Sequence, residues 1–579
     1  MPAAKKTATK AKKSAPKKAA PKKTTARKAA PKMIQSTMMD FPLTTQMVMD
    51  RGGLVFGDSQ VITFDPAGSR RTPFRQIAEN AGKLANALKR LGVKKGDRVA
   101  TFMWNDDAHM ELYMAVPSMG AVLHPLNLRL FPDQFNFIVK HADDRVIFVH
   151  DSLLPLIAQY VPAIDKIVRH YIVVGEGGDL SVFGNKGIRY SELLAGESDA
   201  FKWPKLDETA ASAMCYTTGT TGDPKGVVYS HRSVVLHAMG AGLGATIPIT
   251  EKDTLLPIVP MFHVLAWGLP YGGFWAGADF LMPEKFLQPE PIAAMIQTEK
   301  PTLAAAVPTI WNGLLQHLDA NPKIDISSLK MVVCGGSAVP RSLIEAFETK
   351  HGVPIIQGWG MTETSPLCAL AHPPRDAGKD EILDYRAKTG RVVPGVELRI
   401  VHEDGTVLPW DGKGVGEIEV RGPWITGSYY GVKAKDKFRD GWLRTGDVGT
   451  VDPKGFIQIT DRTKDVIKSG GEWISSVEVE NLLMGHPDVV EAAVIGIPDA
   501  KWDERPLACV VLKEGAKQDA KALRDYLTPL IAKWWLPERW TFVAEIPKTS
   551  VGKFDKKVLR AQHADGQLKV VSSGSAGRK

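Results

Sequence analysis

The sequence contains little cysteine and no long apolar run. Its 579 residues include four scattered cysteines, and none of them stands in a CxxC pair or beside a histidine cluster; they are Cys215, Cys334, Cys368 and Cys509. This scatter excludes a disulfide framework and a structural zinc site, and it is typical of a reducing cytoplasm. No apolar run approaches the ~18 residues that a membrane-spanning helix needs, so we expect none.

Acidic residues are missing from the first 32 positions. That segment holds eleven lysines and Arg27, which give it a charge of +12. Because the whole chain has a net charge of +9, the rest of the chain has a net charge of −3. Repelling charges and prolines predict a disordered basic tail over residues 1–33, and no apolar segment of a secretory signal follows it. Weak contact of the tail with an anionic membrane surface or a nucleic acid and a purely solubilising role both remain open.

The length of the chain predicts two or more domains. Between residue 34 and about residue 460, helical patterns such as Phe74–Leu91 alternate with buried strand patterns such as Val99–Trp104 and Met331–Cys334. This alternation predicts α/β layers around largely parallel sheets. A polar run at 460–469 then precedes a smaller α+β unit, for which we predict, in order, a helix, two strands and a helix at Val477–Met484, Val489–Ile497, Pro506–Leu512 and Ala520–Ala532.

Residues 216–226, YTTGTTGDPKG, carry the clearest chemical signal. Glycines let backbone amides turn toward a ligand, and hydroxyls with one ammonium complete a shell of donors that suits a polyphosphate. Lys225 is followed by Gly226 rather than by Ser or Thr, so the stretch is not a Walker A loop. The candidate ligand residues here are Thr217, Thr218, Gly219, Thr220, Thr221, Gly222 and Lys225.

Further polar motifs follow strand-like segments. QGWGMTETSP at 357–366 places Glu363 among small and hydroxyl residues with no adjacent cation, and a carboxylate beside phosphate oxygens suits Mg²⁺. CGGSAVP at 334–340 ends another buried strand pattern, and WLRTGD at 442–447 ends in an acid, Asp447, of the kind that commonly binds ribose hydroxyls. An ordinary turn is the alternative reading for each of the last two motifs.

The order and spacing of these motifs, from about Ile34 to Arg560, resemble the acyl-adenylate-forming superfamily of acyl-CoA synthetases, firefly luciferase and peptide-synthetase adenylation domains. The chain is most similar to the branch of medium- and long-chain fatty acyl-CoA synthetases, including methylmercaptopropionyl-CoA ligases. The resemblance implies an α/β fold with a large N-terminal domain of packed sheets and helices and a smaller mobile C-terminal α+β domain. The implied boundaries are 34–461 for the large domain, 462–464 for a hinge at Lys464, 465–564 for the lid and 565–579 for a flexible tail.

The resemblance also implies a role for each motif. The implied catalytic residues are Lys553, in PKTSVGK, and Glu363, Thr218 and Lys225. Lys553 would stabilise charge while the acid reacts with ATP, and Glu363 would hold the metal. The glycines of SGGEWISS at 469–476 admit the thiol arm of coenzyme A. The implied cofactor-binding residues outside the first loop are Gly335, Gly336, Ser337, Gln357, Gly358, Trp359, Gly360, Thr362, Asp447, Arg462, Gly470 and Gly471.

Residues 260–273, PMFHVLAWGLPYGG, occupy the helix in which amino-acid-activating relatives carry an Asp. An unpaired buried ammonium is costly, so the absence of an acid favours an uncharged acyl tail. The resemblance places His263, Trp267 and Gly268 at the substrate pocket.

The implied reaction uses ATP, Mg²⁺ and coenzyme A to convert a fatty or other apolar carboxylic acid into acyl-AMP and then into acyl-CoA. We expect the enzyme to be cytoplasmic, and peripheral contact with a membrane remains open. A carrier protein as acceptor, a short thioether or aromatic acid as substrate, and a luciferase-type oxygenase remain alternatives. A nucleic-acid-tethered scaffold with a dead core is a further alternative, disfavoured by the intact Lys225, Glu363, Asp447 and Lys553. A homodimer also stays open.

Overall fold

The computed structural model describes residues 34–217, 223–470, 472–549 and 553–573. The chain forms two units, residues 1–41 and 42–579. The described part of the first unit, residues 34–41, contains neither helix nor strand. All further description concerns the second unit. No helix in the described ranges is both long and apolar enough to cross a bilayer.

One sheet of the described chain has seven strands. Six neighbouring strands run parallel, and the strand that leads into the phosphate-loop motif then pairs antiparallel with the strand that leaves it. In spatial order the strands are Gly187–Arg189, His170–Val174, Val146–His150, Arg98–Phe102, Val122–Pro125, Ala211–Thr217 and Lys225–Ser230. Residues 218–222, the tip of this hairpin, lie outside the described residues.

A second sheet has fifteen strands in the described chain. Its inner strands are parallel, from Gln60–Thr63 across to Ile355–Gly360, and the strands after residue 366 are antiparallel. In spatial order they are Val407–Leu408, Glu397–Val401, Gly416–Arg421, Trp442–Val451 (which also pairs with Phe438–Arg439), Phe456–Arg462, Gly390–Val392, Leu367–Leu370, Ile355–Gly360, Met331–Gly335, Leu303–Ala306, Thr254–Pro257, Asp279–Met282, Gln60–Thr63 and Arg70–Pro73.

Helices cover these sheets because their apolar residues repeat every three to four positions. In the helix Phe74–Arg90, Phe74, Ile77, Ala81, Leu84 and Leu88 are fully buried, which is the spacing of one helix face. The helices up to residue 387 are Thr45–Val55, Phe74–Arg90, Asp107–Ser118, Pro132–Ala142, Leu154–Ile157, Val161–Ile164, Tyr190–Leu194, His231–Ala241, Leu269–Ala276, Pro289–Glu299, Pro308–Ala320, Arg341–His351 and Lys379–Ala387.

The C-terminal part of the chain forms a separate six-stranded sheet with its own apolar core. The long strands of this sheet pair antiparallel over ten residue pairs. Its strands are Ile467–Ser469, Glu472–Ile474, Val489–Asp499, Asp503–Leu512, Arg539–Phe542 and Val571–Ser572, and its helices are Ser476–Met484, Ala520–Leu527 and Lys556–Ala564.

The predicted fold class is confirmed, with two local corrections. The helix predicted over Ala520–Ala532 ends at Leu527, because Pro529 has no backbone N–H with which to continue the helical hydrogen bonds. The segment 260–273 is not one helix: residues 264–268 form a separate turn before the helix Leu269–Ala276 begins. The strands predicted at Val99–Trp104 and Met331–Cys334 are present, at Arg98–Phe102 and Met331–Gly335.

Candidate active site

A cavity of about 1120 Å³ is lined by residues of the large sheets and by residues of the C-terminal unit. Its walls bring together residues that are separated by hundreds of positions in the sequence. The sequence-predicted site residues that line it are Thr217, Lys225, His263, Trp267, Gly335, Gly336, Ser337, Gln357, Gly358, Trp359, Gly360, Thr362, Glu363, Asp447, Arg462, Lys464 and Lys553.

Other predicted residues do not lie on this wall or are not described. Gly268 and Gly470 are absent from the lining, and both are turn glycines with positive φ. An added Cβ at Gly268 would lie 2.6 Å from Nδ1 of His237, and one at Gly470 would lie 2.7 Å from the Trp502 ring. The predictions for Thr218, Gly219, Thr220, Thr221, Gly222 and Gly471 fall outside the described residues.

Two neighbouring parallel strands carry the glycine-rich motifs to one edge of the large sheet. Met331–Gly335 and Ile355–Gly360 pair in register, with Gly335 opposite Gly358. A Cβ at Gly335 would lie 2.6 Å from the carbonyl oxygen of Gly358. The missing side chain at Gly335 therefore lets the two strands lie close together. Both glycines line the cavity at this edge, which is the usual ligand position in parallel sheets.

Glu363 is 7% exposed and its carboxylate faces the cavity from a short 3₁₀ turn. The Tyr429 hydroxyl donates a 2.7 Å hydrogen bond to Glu363 Oε1, and Thr426 N donates to the Glu363 carbonyl at 2.8 Å. No cation among the described residues forms an ion pair with Glu363. One oxygen of the carboxylate is thus oriented by Tyr429 and the other is left for a ligand.

Asp447 is also buried, and two site residues orient it. Trp359 Nε1 donates to Asp447 Oδ2 at 2.9 Å, and Arg462 Nε lies 3.4 Å from Oδ1. The register of the strands explains the second contact, since Asp447 and Arg462 are paired residues of adjacent antiparallel strands. Trp359, an implied cofactor-binding residue, thus orients the carboxylate of the ribose-binding candidate through its indole N–H.

Lys553 is partly buried and reaches the cavity from the C-terminal unit. Burial is the largest influence and lowers the pKa of Lys553 to about 8; the positive charge of Arg462 acts in the same direction, while Asp447 and Glu363 oppose it. An ammonium this close to two carboxylates and the nucleotide-binding edge can stabilise negative charge that develops on a transferring group.

Cationic side chains also line the nucleotide-binding side of the cavity. Lys225, directly after the phosphate-loop motif, has its Nζ 5.3 Å from the centroid of the Tyr429 ring. Burial lowers the pKa of Lys464, and the nearby charges of Arg462, Lys437 and Arg560 lower it further. This concentration of positive charge attracts a polyanion.

The acyl side of the cavity contains an unusual backbone turn. Val264, Leu265, Ala266 and Trp267 all have φ between 47 and 59°, and Gly268 follows with φ of 75°. Left-handed geometry costs roughly 1–2 kcal/mol per non-glycine residue, so the surrounding packing must hold this turn in place. The turn directs Val264 and Trp267 to the cavity wall, whereas Leu265 and Ala266 are buried in the core.

His263 precedes this turn and lines the cavity without a charge at neutral pH. Burial, and then the charge of Lys553, lower the pKa of His263 to about 3. Phe262, Val264 and Trp267 beside it are apolar. The stretch 260–273 thus contributes no ionised side chain to this wall, which suits an uncharged acyl tail.

The donor set fits a magnesium ion that arrives with a nucleotide. Among the described residues there is no cluster of three or more His, Cys, Asp or Glu side chains that could cage a metal. Mg²⁺ is usually held by one or two carboxylates together with phosphate oxygens and water. Glu363, with one oxygen free to bind, meets that requirement.

Several cavity residues escaped the sequence analysis. Tyr429 orients Glu363. The other residues of this kind line the cavity wall; they are Asp461, Lys556, Leu126 and Leu130. Tyr429 stands in no motif that the sequence analysis singled out, and Asp461 stands in the polar run 460–469, where only Arg462 and Lys464 were assigned a role. Their roles depend on tertiary contacts, so the only available signal was their proximity to recognised motifs in the sequence.

Two family models match the chain. The AMP-binding enzyme model matches residues 53–430, and the AMP-binding enzyme C-terminal domain model matches residues 478–553.

Three relatives cover nearly the whole chain. A long-chain-fatty-acid–CoA ligase of Thermus thermophilus is 44% identical over 91% of this chain and 97% of its own length. A 3-methylmercaptopropionyl-CoA ligase of Ruegeria lacuscaerulensis is 42% identical, over 91% and 98%. A medium-chain-fatty-acid–CoA ligase of Ectopseudomonas oleovorans is 39% identical, over 93% and 99%.

Solved structures show the same architecture. The anthranilate CoA ligase AuaEII in complex with anthranoyl-AMP superposes with a TM-score of 0.82 at 28% identity, covering 91% of this chain and 99% of that one. ATP-bound MatB from Rhodopseudomonas palustris gives 0.77 at 27% identity, covering 90% and 99%.

Proposed function

Because this chain belongs to the AMP-binding enzyme family, we propose that it activates a medium- to long-chain or similar apolar carboxylic acid with ATP and transfers the acyl group to coenzyme A. The chain is an AMP-forming acid–thiol ligase, and ATP, Mg²⁺ and coenzyme A take part in its reaction.

One observation carries the proposal. Glu363, Asp447 and Lys553 come from three separate parts of the sequence and line one cavity beside the edge formed by Gly335 and Gly358. That cavity has a cationic nucleotide side and an apolar side at Val264 and Trp267. It therefore offers a place for each of the two reactants of the first half-reaction.

In the first half-reaction a carboxylate oxygen of the acid attacks the α-phosphorus of ATP, and pyrophosphate leaves. The carboxylate is already a nucleophile, so the protein needs to position the reactants and stabilise charge rather than supply a base. We assign the stabilisation to the protonated Lys553 and to Lys225, and the binding of ribose to Asp447. The bound Mg²⁺, held by Glu363, would neutralise phosphate charge.

In the second half-reaction the thiol of coenzyme A attacks the acyl carbon and AMP leaves, giving the thioester. The predicted domains enter here as part of the proposal. We assign residues 34–461 to the nucleotide-binding domain and 465–564 to a lid that turns about Lys464. That turn would withdraw Lys553 and admit the thiol arm past the glycines at 470–471.

The test is a panel of acids with ATP, Mg²⁺ and coenzyme A, in which AMP, pyrophosphate and thioester are measured. We expect stoichiometric AMP and acyl-CoA with unbranched medium- to long-chain acids, and no product with a charged amino acid. Absence of ATP consumption with every acid would overturn the proposal. In the same assay Lys553→Ala should lose most acyl-AMP formation, whereas the matched control Lys521→Ala, which breaks only an exposed ion pair with Asp525, should not.

A short thioether acid is the second candidate substrate. The observation in its favour is the 42% identity to a 3-methylmercaptopropionyl-CoA ligase, a value close to the 44% for the long-chain enzyme. Including 3-methylmercaptopropionate in the panel separates the two, because the larger kcat/KM identifies the preferred acid. A holo-acyl carrier protein offered in place of coenzyme A tests the alternative acceptor.

The basic segment 1–33 completes the proposal. Its positive charge favours weak contact of a cytoplasmic enzyme with an anionic membrane surface or nucleic acid. Deletion of these residues should leave the ligase rate unchanged and reduce co-sedimentation with anionic vesicles, or retention on DNA if nucleic acid is the partner. We propose a homodimer as the assembly, which light scattering tests directly.

A further inference from the structure

A polar cluster joins the two sides of the proposed hinge at Lys464. We define the cross-hinge cluster as Thr460 and Asp461 before the hinge and Ser475, Ser476 and Lys556 after it. The Asp461 carboxylate accepts hydrogen bonds from Ser476 N at 2.7 Å and Ser476 Oγ at 2.5 Å. Ser475 Oγ donates to the carbonyl oxygen of Thr460.

Asp461 is 1% exposed, and the groups around it satisfy a charged carboxylate. Besides the two bonds from Ser476, its own neighbour Arg462 donates a backbone N–H at 2.7 Å. Ser476 is the first residue of the helix Ser476–Met484, so the carboxylate lies at a helix N-terminus, where negative charge is favoured. Burial raises the pKa of Asp461, and the charge of Lys556 together with the bonds from Ser476 and Arg462 opposes that rise. These partners hold the carboxylate against the start of the helix.

Lys556 links this cluster to the catalytic lysine. Its Nζ lies 2.6 Å from Ser476 Oγ and 2.7 Å from Glu480 Oε1. Lys553 is only three residues earlier, and its backbone oxygen accepts a bond from Thr549 N at 2.7 Å. The position of the Lys553 backbone is therefore tied through Lys556 and Ser476 to Asp461 on the other domain.

We propose that Asp461 is a positioning residue that holds the lid in the orientation in which Lys553 reaches the cavity. The inference rests on the proposed function, since it concerns that reaction's first half. Asp461 and Ser476 lie on opposite sides of Lys464, so a turn of the lid about that residue separates them. The cross-hinge cluster therefore supports acyl-AMP formation and contributes nothing to thioester formation.

The test measures the two half-reactions separately in Asp461→Asn. This change keeps the size of the side chain and removes the charge that faces Lys556. Loss of a hydrogen-bonded charge should lower the rate of acyl-AMP formation, followed by ATP–pyrophosphate exchange, by about 10- to 100-fold. Thioester formation from preformed acyl-AMP should stay within about twofold of wild type, because the bonds are already broken in that orientation.

A double-mutant cycle with Lys553→Ala separates positioning from general support of the fold. If Asp461 acts through Lys553, the Asn change should have little further effect in the Lys553→Ala background, and the two losses will not add. Ser476→Ala removes the hydroxyl that contacts both Asp461 and Lys556, and it should slow acyl-AMP formation without slowing thioester formation. This variant replaces Asp461→Asn in the test if Asp461→Asn does not fold. Asp525→Asn, in an exposed pair with Lys521, is the matched control.

Two results would overturn the inference. The first is an equal loss in both half-reactions, and the second is full additivity with Lys553→Ala. Failure of the proposed function is distinguishable, since wild-type protein would then show no pyrophosphate exchange with any acid. If wild type exchanges pyrophosphate and Asp461→Asn does so equally well, only the role of Asp461 is refuted.

Discussion

The lowered pKa of Lys553 makes the first half-reaction sensitive to alkaline pH. Burial together with the charge of Arg462 brings this pKa to about 8, and we assign catalysis to the protonated form. The fraction of protonated Lys553 in the free enzyme then falls about tenfold between pH 7 and pH 9, and kcat/KM for acyl-AMP formation should fall by the same factor. The direction follows from the lowered value, since the active ammonium is lost as the pH rises through about 8.

The assay is ATP–pyrophosphate exchange at subsaturating acid and ATP, from pH 6 to pH 10, in parallel with thioester formation from preformed acyl-AMP. Lys553→Arg is the matched variant, because a guanidinium stays protonated throughout this range. Its rate will be lower, but its alkaline decline should disappear. An alkaline decline that persists in Lys553→Arg, or that is equally steep in both half-reactions, refutes the reasoning.

Three further changes test single contacts of the site. Glu363→Gln keeps the bond from Tyr429 but removes the charge, so acyl-AMP formation should fall about 10²–10³-fold, and raising Mg²⁺ in the exchange assay should not restore it. Tyr429→Phe leaves the charge of Glu363 in place and removes the 2.7 Å hydrogen bond to it. The rate of acyl-AMP formation should fall about tenfold, and more Mg²⁺ should be required. An unchanged Mg²⁺ titration would show that Tyr429 does not orient Glu363. Gly360→Ala puts a Cβ 1.9 Å from the Pro366 carbonyl oxygen, and thermal denaturation should show a loss of about 1–3 kcal/mol. Gly244→Ala, where an added Cβ meets no neighbour and φ is not positive, provides the comparison for an added methyl.

The sequence predicted the parts of the site that depend on strand ends. The motifs after Met331–Gly335 and Ile355–Gly360 converge because both strands are parallel neighbours and their carboxyl ends meet at one edge. A buried strand pattern followed by glycines is a local signal, and local signals are visible without a structure. Lys553 was predicted from the family resemblance alone, because it lies too far from Glu363 in the sequence for any local pattern to connect the two residues.

The contacts that sequence reasoning missed are tertiary. Tyr429 and Asp461 form hydrogen bonds with residues on other elements, and the sequence around each residue does not show which partner it has. The left-handed run at 264–267 contains no glycine, so the residue types there predicted an ordinary helix. Surrounding packing overrides that local preference, as it does at strained functional segments in general.

The left-handed turn at 264–268 has a consequence for how the enzyme responds to heat. Its conformation is retained only while the neighbouring core stays tightly packed, because its own backbone preferences oppose it. As temperature rises toward unfolding, this wall should loosen before the parallel strands separate. Discrimination between acids of different shape should therefore decay at a lower temperature than the ability to hydrolyse or exchange ATP, so that a warm enzyme becomes promiscuous before it becomes inactive.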